Sequence, residues 1–599
     1  MTQQLASDIH PRPAGVGAPA RAGSRSLRVL VHEWTVVAAA SILLAVAMTW
    51  PAVKNFRSFP VDPWDPSLQS WQMAWTGWSV KNDIGQLWDT NVFLTDRYAL
   101  AYSDTLLGFL PFSLIGTGVE AAIVRYNILF LLAFALCFFG AYVLARQLGS
   151  RIAGAALAGA VFAYAPWRWT QASHLNILSV GGIALCLAML ARGHGYSLRD
   201  GYRPERVRPG WALAGWLVAA WQVTLGFGLG MPFGYLLGLL VVIAGIGWVW
   251  KRPEFSRRLL ALDAAGMVAF AAVTVLMAVP YFRVLSHYNS QGRGLEEILS
   301  YSPPFRGFLT APPMSLLWGD VQHDLRESFM QAGGWESILL PGFALYALAV
   351  LGLVLSAWPW RRRLLIAAVT TVVLWAAMGL RAPVTLPYRL LWEYLPGWAG
   401  IRVPGRLVVF VTLLLAVLAA GAVTAIGDRL AAWLRGPSRE RLRPAVALLG
   451  LLPISAALVE GVATVDTPPA PRSPVAFREA QGPMLVLPTD WMDDQVMMLW
   501  SADGFPRLMN GQSGFVPPGI VRTREVTKNF PDQESVQYLR ENGVRTVVVL
   551  RRPPTSRLEF PPDGSVLPEK AYSGPIDGLG LTRQETPDAV VYLVGGVPQ

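Results

Sequence analysis

The stretch Phe59-Pro60-Val61-Asp62-Pro63-Trp64-Asp65-Pro66 decides how this chain is read. It follows a first apolar run, Trp34 to Val53. It opens a polar segment that carries Asp62, Asp65, Asp83, Asp89, Asp96 and Asp104. Proline fixes its own φ and biases the residue before it toward extended backbone, so the two carboxylates stand in a stiff segment at a membrane surface. Near hydrocarbon the charged form of a carboxyl group is disfavoured, which raises its pKa and suits a general base. Asp65 also stands where it would cap a following helix. Asp62 lies further from that helix start, and capping explains it less well.

The helix that follows carries Leu68, Trp71, Trp75 and Trp78 at helical spacing. It is too short and too polar to span a membrane. An indole has an apolar body and one N–H donor, so this stripe is expected to lie flat on the outer leaflet. There the tryptophans either anchor the loop or touch a lipid substrate.

Working outward, 53% of the 599 residues are hydrophobic and only 15% are charged, against roughly 25% charged in soluble domains. Apolar runs recur at the length that crosses a hydrocarbon core about 30 Å thick. The net charge of +11 comes from short basic clusters between those runs: Arg199, Arg203, Arg206 and Arg208; Lys251, Arg252, Arg257 and Arg258; Arg361 to Arg363; and Arg435, Arg439, Arg441 and Arg443. That is a cytoplasmic-loop pattern and not a nucleic-acid surface. Cys137 and Cys186 both fall within apolar runs, too few and too buried for a disulfide framework or a metal site. Residues 1–28 read as a disordered cytoplasmic tail, and the run after them is long for a signal-peptide core.

Spans are expected near 34–53, 125–147, 151–166, 174–193, 209–228, 231–250, 259–284, 336–358, 363–380, 406–427 and 443–463. With the tail inside, this order puts every basic cluster on the cytoplasmic side. Leu106 to Gly118 is short and holds Pro111, so it is read as re-entrant. The chain is therefore expected to be a mainly α polytopic membrane protein of about eleven spans, N-terminus in and C-terminus out, with a transmembrane domain at 29–464. Loops at 54–124, 285–335 and 381–405 then share the outer face with a small α/β domain at 465–599, entered through Pro468, Pro469, Pro471 and Pro474.

Further polar groups fall on that same face. Asp104 ends Tyr102-Ser103-Asp104. His174 lies in Ser173-His174-Leu175-Asn176, and is either a satisfied interfacial histidine or a substrate ligand. Arg402 and Arg406 frame Arg402-Val403-Pro404-Gly405-Arg406. A guanidinium fork suits phosphate oxygens, though either arginine could instead snorkel.

An acidic first loop, a surface helix, a re-entrant segment, many spans and a C-terminal outer domain together resemble the GT-C membrane glycosyltransferases. Protein mannosyltransferases, aminoarabinose transferases, arabinofuranosyltransferases and oligosaccharyltransferases share that fold. More narrowly, five stretches look like a poorly characterised bacterial group of such proteins. They are Asp62-Pro-Trp-Asp65 with its Trp helix, Ala101-Tyr-Ser-Asp104-Thr-Leu-Leu-Gly108, Ala165-Pro-Trp-Arg168 leading to Ser173-His-Leu-Asn176, Gly397 to Arg406, and Asn510-Gly-Gln-Ser-Gly514. The resemblance implies a cytoplasmic-membrane enzyme that moves a hexosyl or pentosyl unit, with inversion, from a polyprenyl-phosphate donor to a glycan, lipid or protein acceptor. Asp62, or else Asp65, would be the base, with Asp104, His174, Arg402 and Arg406 binding substrate. Metal use varies across the fold: a divalent metal is possible, but no His/Asp cluster here demands one, and no other cofactor is expected. A transporter would place ionisable groups at mid-membrane and show inverted repeats. Here Asp263 alone lies in a late span, and no repeat is visible. A non-catalytic envelope-assembly protein is the other alternative.

The topology carries a direct test. Single cysteines at positions 90 and 395 should react with an impermeant thiol reagent added from outside, and one at position 205 should not. Labelling at 205 with protection at 395 would overturn the topology.

Overall fold

The computed structural model describes residues 32–251, 255–290, 292–330, 334–435, 441–554 and 566–595. The tail expected at 1–28 lies outside the described residues. The main helices are α1 (Glu33–Met48), α2 (Trp64–Asn82), α3 (Gly118–Gln147), α4 (Ile152–Ala163), α5 (Gly181–Gly193), α6 (Pro209–Leu225), α7 (Phe227–Lys251), α8 (Arg257–His287), α9 (Phe343–Val354), α10 (Trp360–Ala377), α11 (Val408–Trp433) and α12 (Leu452–Gly461).

Among the described residues, five helical stretches are long and apolar enough to cross a membrane: Gly118–Gln147, Leu175–Gly193, Phe227–Trp250, Arg257–His287 and Pro404–Trp433. Helices α1, α9 and α12 are apolar but shorter. The run at 443–463 breaks into Arg443–Leu449 and α12, with a proline in the first turn of each. Leu106 to Gly118 makes only a 3-10 turn at Leu107–Phe109 and one α turn at Leu110–Ser113.

The bundle is knit by close crossings. α6 packs on α5 and α8, α3 on α5, α4 and α1, and α11 on α4, α9 and α10. At the α3–α5 crossing a Cβ on Gly140 would stand 2.4 Å from the Gly181 carbonyl oxygen, so only glycine allows the approach. α7 and α8 turn Val242, Ile243, Val268 and Leu276 outward, an apolar surface suited to lipid.

Between α4 and α5 the chain stops being helical yet stays buried. Pro166–Trp169 is a 3-10 turn and Leu175–Leu178 a single α turn. Buried backbone without a partner is costly, more so within a bilayer. Arg168, 0% exposed, answers this. Its Nε donates to the Phe162 carbonyl at 2.7 Å, its Nη1 to the Leu178 carbonyl at 3.3 Å and its Nη2 to Cys137 Sγ at 3.4 Å. The guanidinium also lies over the rings of Phe162 and Trp167. One side chain thus closes both ends of the break that carries Ser173 and His174.

Past residue 465 the chain forms a four-stranded sheet of order β3-β4-β6-β5, the hairpin Tyr196–Ser197 (β1) and Gly201–Tyr202 (β2) having come earlier. β3 (Met484–Leu487) runs parallel to β4 (Thr546–Leu550); β4 pairs antiparallel with β6 (Ala589–Val594), and β5 (Leu581–Glu585) with β6. Helices α13 (Asp493–Trp500), α14 (Pro518–Thr527) and α15 (Gln533–Glu541) lie between β3 and β4 in sequence.

Two expectations about the first loop are corrected. α2 does not lie open on a leaflet: Trp71 and Trp75 are each 1% exposed. α2 packs between α3 and α13. Trp71 Nε1 donates to Asn91 Oδ1 and Trp75 Nε1 to the Leu87 carbonyl, while Phe505 meets the Trp75 and Trp78 rings. The stripe is core because the C-terminal region covers it. Nor does Asp65 cap α2. It sits inside the first turn, and Asp62 Oδ1 accepts the Trp64 N–H at 2.9 Å.

Arg168→Lys keeps the charge but cannot span both carbonyls. An orphaned buried carbonyl costs about 1–3 kcal/mol. The variant should melt below the wild type in detergent, followed by tryptophan fluorescence. An unchanged melting temperature would show that the break is held by other groups.

Candidate active site

The residues around Asp62 arrive from four directions. Asp62 and Asp65 come from the start of α2, Ser173 and His174 from the break before α5, Arg406 from the turn that opens α11, and Gln495 from α13. Val61 holds φ +73°, a left-handed conformation that is strained for a β-branched residue. The Val61 N–H donates to the Asp466 carbonyl at 3.0 Å, which pins this kinked backbone to the linker.

Asp62 is held by two donors. Ser173 Oγ donates to its Oδ2 in a short hydrogen bond, and the Trp64 N–H donates to its Oδ1. Burial, with the like charge of Asp65 added, pushes its carboxyl up to about 6 against the bonds from Ser173 and Trp64. Asp62 also lines a cavity of about 430 Å³ with Val61, Pro63, Trp64, Asp466, Thr467 and Pro468.

Asp65, three residues on, has the opposite balance. Burial alone would raise its pKa, but His174, the Arg406 charge and a bond from Gln495 hold it below the ordinary carboxylate range. His174 Nε2 lies 3.3 Å from Asp65 Oδ2, and Gln495 Nε2 donates to Oδ1 at 3.1 Å. His174 Nδ1 is buried with no partner among the described residues.

Arg406 pairs with Glu336, its Nε 3.4 Å from Oε2 and its Nη2 bonded to Oε1. Gln171 Nε2 donates to the same Oε2 at 2.7 Å. Burial would raise the Glu336 pKa, but the Arg406 and His174 charges and the bonds from Arg406 and Gln171 together outweigh it and hold the carboxyl at about 2.

Asp104 accepts from Asn176 Nδ2 at 2.6 Å and from the Gly228 N–H at 3.0 Å, so it ties the first loop to the start of α7. Gln69 of α2 completes this chain, donating to Asn176 Oδ1 at 3.1 Å and accepting the Leu175 N–H at 2.8 Å. The structure thus gathers Asp62, Asp65, His174 and Arg406, with Asp104 tied to the same His174–Asn176 turn. Arg402 stands apart: its guanidinium lies over the Tyr301 ring, 4.9 Å from the centroid. Asp263, the late-span carboxylate, is taken up by His194 Nε2 at 2.6 Å and Trp216 Nε1 at 2.9 Å.

Three neighbours were missed in the sequence. Glu336 sits just before α9 at the edge of an expected span, and an acid at the head of an apolar run was its signal. Ser173 was read as the companion of His174, and nothing pointed it at Asp62. Gln495 lies 430 residues from its partner Asp65, with no local signal. Among the described residues no three His, Cys, Asp or Glu side chains are grouped to hold a metal ion.

No protein-family model matches this chain, and no characterised protein matches it in sequence. Solved structures are similar to it. Arabinofuranosyltransferase AftD from Mycobacteria is 15% identical with a TM-score of 0.50, the match covering 94% of this chain and 41% of AftD. This chain therefore spans less than half the length of AftD. The oligosaccharyltransferase AglB from Archaeoglobus fulgidus, seen with an inhibitory peptide and a dolichol-phosphate, is 14% identical over 86% of this chain and 69% of its own, with a TM-score of 0.43. ArnT from Cupriavidus metallidurans, bound to undecaprenyl phosphate, is 16% identical over 97% and 100%, with a TM-score of 0.38. The fold of this chain is that of the GT-C membrane glycosyltransferases.

Proposed function

We propose that the protein is a membrane glycosyltransferase that moves a sugar from a polyprenyl-phosphate donor to an acceptor hydroxyl, with Asp62 as general base. The observation that carries this is the carboxyl of Asp62 beside a 430 Å³ cavity, its pKa raised to about 6 while that of Asp65 is lowered. Two carboxyls whose environments push their pKa values apart are suited to different tasks. A base near neutrality is ionised at working pH yet still basic enough to accept a proton.

In this reading Asp62 takes the acceptor hydroxyl proton as that oxygen attacks the anomeric carbon. The bond from that carbon to the phosphate oxygen breaks on the opposite face, so configuration inverts. The polyprenyl phosphate leaves with the electron pair. Asp65 stays ionised and orients His174, whose buried Nδ1 has no partner among the described residues. Arg406 is already bonded to Glu336, whereas Arg402 rests on a tyrosine ring with no carboxylate paired to it among the described residues. Arg402 is therefore the better counter-charge for the phosphate, and Arg406 the better organiser of the two buried acids. No step in this scheme is routed through a metal.

The topology that goes with this reading has about eleven spans in a bacterial cytoplasmic membrane, with the catalytic loops and the C-terminal sheet outside. The sugar, hexosyl or pentosyl, and the acceptor class are open to direct measurement. Mass spectrometry of envelope glycans from cells with and without the gene would name both through the missing residue.

The base is tested in the same assay. Complementation with Asp62→Asn should fail to restore the glycan while the protein accumulates normally, because the amide matches the carboxylate in shape and cannot accept the proton. The expected rate loss is about a hundredfold to ten-thousandfold. With purified enzyme, kcat/KM should rise with pH to a plateau through an apparent pKa of about 6. Full activity of Asp62→Asn would remove Asp62 from the chemistry.

A second measurement needs no substrate. The Asp62 pKa is raised in the fold, so the neutral acid suits the fold best, and stability is lost as pH rises from about 4 through about 6. Asp62→Asn lacks that loss. The difference in melting temperature, variant minus wild type, should grow across this window and stay constant above it. A difference independent of pH would contradict the raised pKa.

A further inference from the structure

A second cavity lies in the C-terminal region, away from Asp62. It has a volume of about 140 Å³ and is lined by Leu487, Thr489, Asp490, Trp491, Arg524 and Thr527, among others. It opens where β3 ends, which is where α/β sheets commonly bind ligands.

Its polar groups are incompletely used. Asp490 is 2% exposed. Its Oδ1 accepts the N–H groups of Met492 and Asp493, at 2.6 and 2.8 Å, and so fixes the turn that leads into α13. Its Oδ2 is buried with no partner among the described residues. Arg524 spends Nη2 on Asp494 Oδ2 at 2.8 Å and on the carbonyls of Asp490 and Gly511, while its Nε is also buried and unpartnered. A buried acceptor and a buried donor left unmade are costly, unless a ligand completes them. Beside them Trp491 is 52% exposed, a large aromatic face turned to solvent.

We propose that this cavity is a saccharide subsite that holds one ring of a glycan acceptor. The ring would stack on the Trp491 face, one hydroxyl donating to Asp490 Oδ2 and one ring or hydroxyl oxygen accepting from Arg524 Nε. A sugar presents all three features together: an apolar C–H face, hydroxyl donors and oxygen acceptors. A phosphate would meet Arg524 and Lys528 in the lining, but the unpartnered carboxylate oxygen of Asp490 would repel it, and it has no apolar face for Trp491. A lipid tail would leave both polar atoms unanswered. The volume is below the roughly 300–1,000 Å³ of sites that enclose a drug-sized ligand, so it takes one ring and not a chain.

This assignment rests on the glycosyl-transfer reading and narrows its acceptor to a glycan. The subsite is linked to Asp65 through α13: Asp490 accepts the N–H of Asp493, the first residue of the helix, and Gln495, five residues on from Asp490, reaches Asp65. The cavity beside Trp491 shares no lining residue with the one beside Asp62, so a ring on Trp491 belongs to a sugar removed from the reacting hydroxyl.

The test uses the full-length protein in detergent and a panel of methyl glycosides: glucoside, mannoside, galactoside and arabinofuranoside. Binding is read by saturation-transfer NMR and by calorimetry. At least one glycoside should bind in the millimolar range. Trp491→Ala should weaken it about tenfold or more, the loss of an aromatic stack plus its polar neighbours. Asp490→Asn should weaken it too, while the amide oxygen still accepts the Met492 and Asp493 N–H groups. Asp62→Asn should bind as the wild type does. That arm separates the two ideas, because sugar transfer by Asp62→Asn would sink the catalytic reading without touching this one. The subsite is overturned if no glycoside binds the wild type, if Trp491→Ala and Asp490→Asn both bind as the wild type does, or if inorganic phosphate competes for the site.

Discussion

The site depends on one buried guanidinium. A membrane bundle cannot leave backbone carbonyls bare, yet the stretch between α4 and α5 is irregular and buried. Arg168 reconciles the two. It accepts burial without a carboxylate among its bonds and is matched instead by the Phe162 and Leu178 carbonyls and by two aromatic faces. Those carbonyls flank the stretch that presents Ser173 and His174 to the two aspartates. Guanidinium suits this task better than ammonium because its fork is planar, weakly hydrated and able to bond in several directions at once.

With the break held, the electrostatics follow from what each acid meets. Asp62, Asp65 and Glu336 all lose water, and each would drift upward on that account alone. Glu336 has Arg406, and Asp65 has His174, Gln495 and the more distant Arg406 charge, so both finish low. Asp62 has a hydroxyl and one backbone N–H, with Asp65 as a like-charged neighbour, and finishes high. The Pro-flanked spacing that keeps the two aspartates three residues apart is what lets them differ. Adjacent on one extended strand they would point to opposite faces; here both face the break before α5 and meet different partners there.

The sequence was legible wherever the physics is local. Most apolar runs of membrane length mark helices, and basic clusters fall between those helices or in their first turns, as Arg361 to Arg363 do in α10. Asp62, His174 and Arg406 carried signals of position: proline flanks, the mouth of a span, the outer end of another. What is not local was lost. The Trp71 and Trp75 stripe has the pattern of a surface anchor and of a buried face alike; only a covering partner distinguishes them, and that partner is α13, more than four hundred residues away. Asp65 reads as a cap from its place before the apolar stripe, but the helix begins at Trp64 with Pro63 at its cap, two residues earlier than capping by Asp65 requires, and the free N–H falls to Asp62. Gln495 and Glu336 are ordinary residues until tertiary structure gives them Asp65 and Arg406.

That distance has a consequence for how the site is assembled. α2 carries the candidate base, but its apolar face is completed by α13 and its loop by residues beyond: Asn91 bonds Ser501 and the Pro506 carbonyl, and the Phe93 N–H donates to the Asn510 carbonyl. Asn510 in turn pairs with both the N–H and the carbonyl of Val486 along one edge of β3 and reaches Asp494. The first loop and the C-terminal sheet therefore share one core. A chain lacking the sheet would leave Trp71 and Trp75 uncovered and Asp65 without its amide donor, so the carboxyl that keeps Asp62 basic would itself be perturbed. The C-terminal region is part of the site's electrostatics as well as its cover.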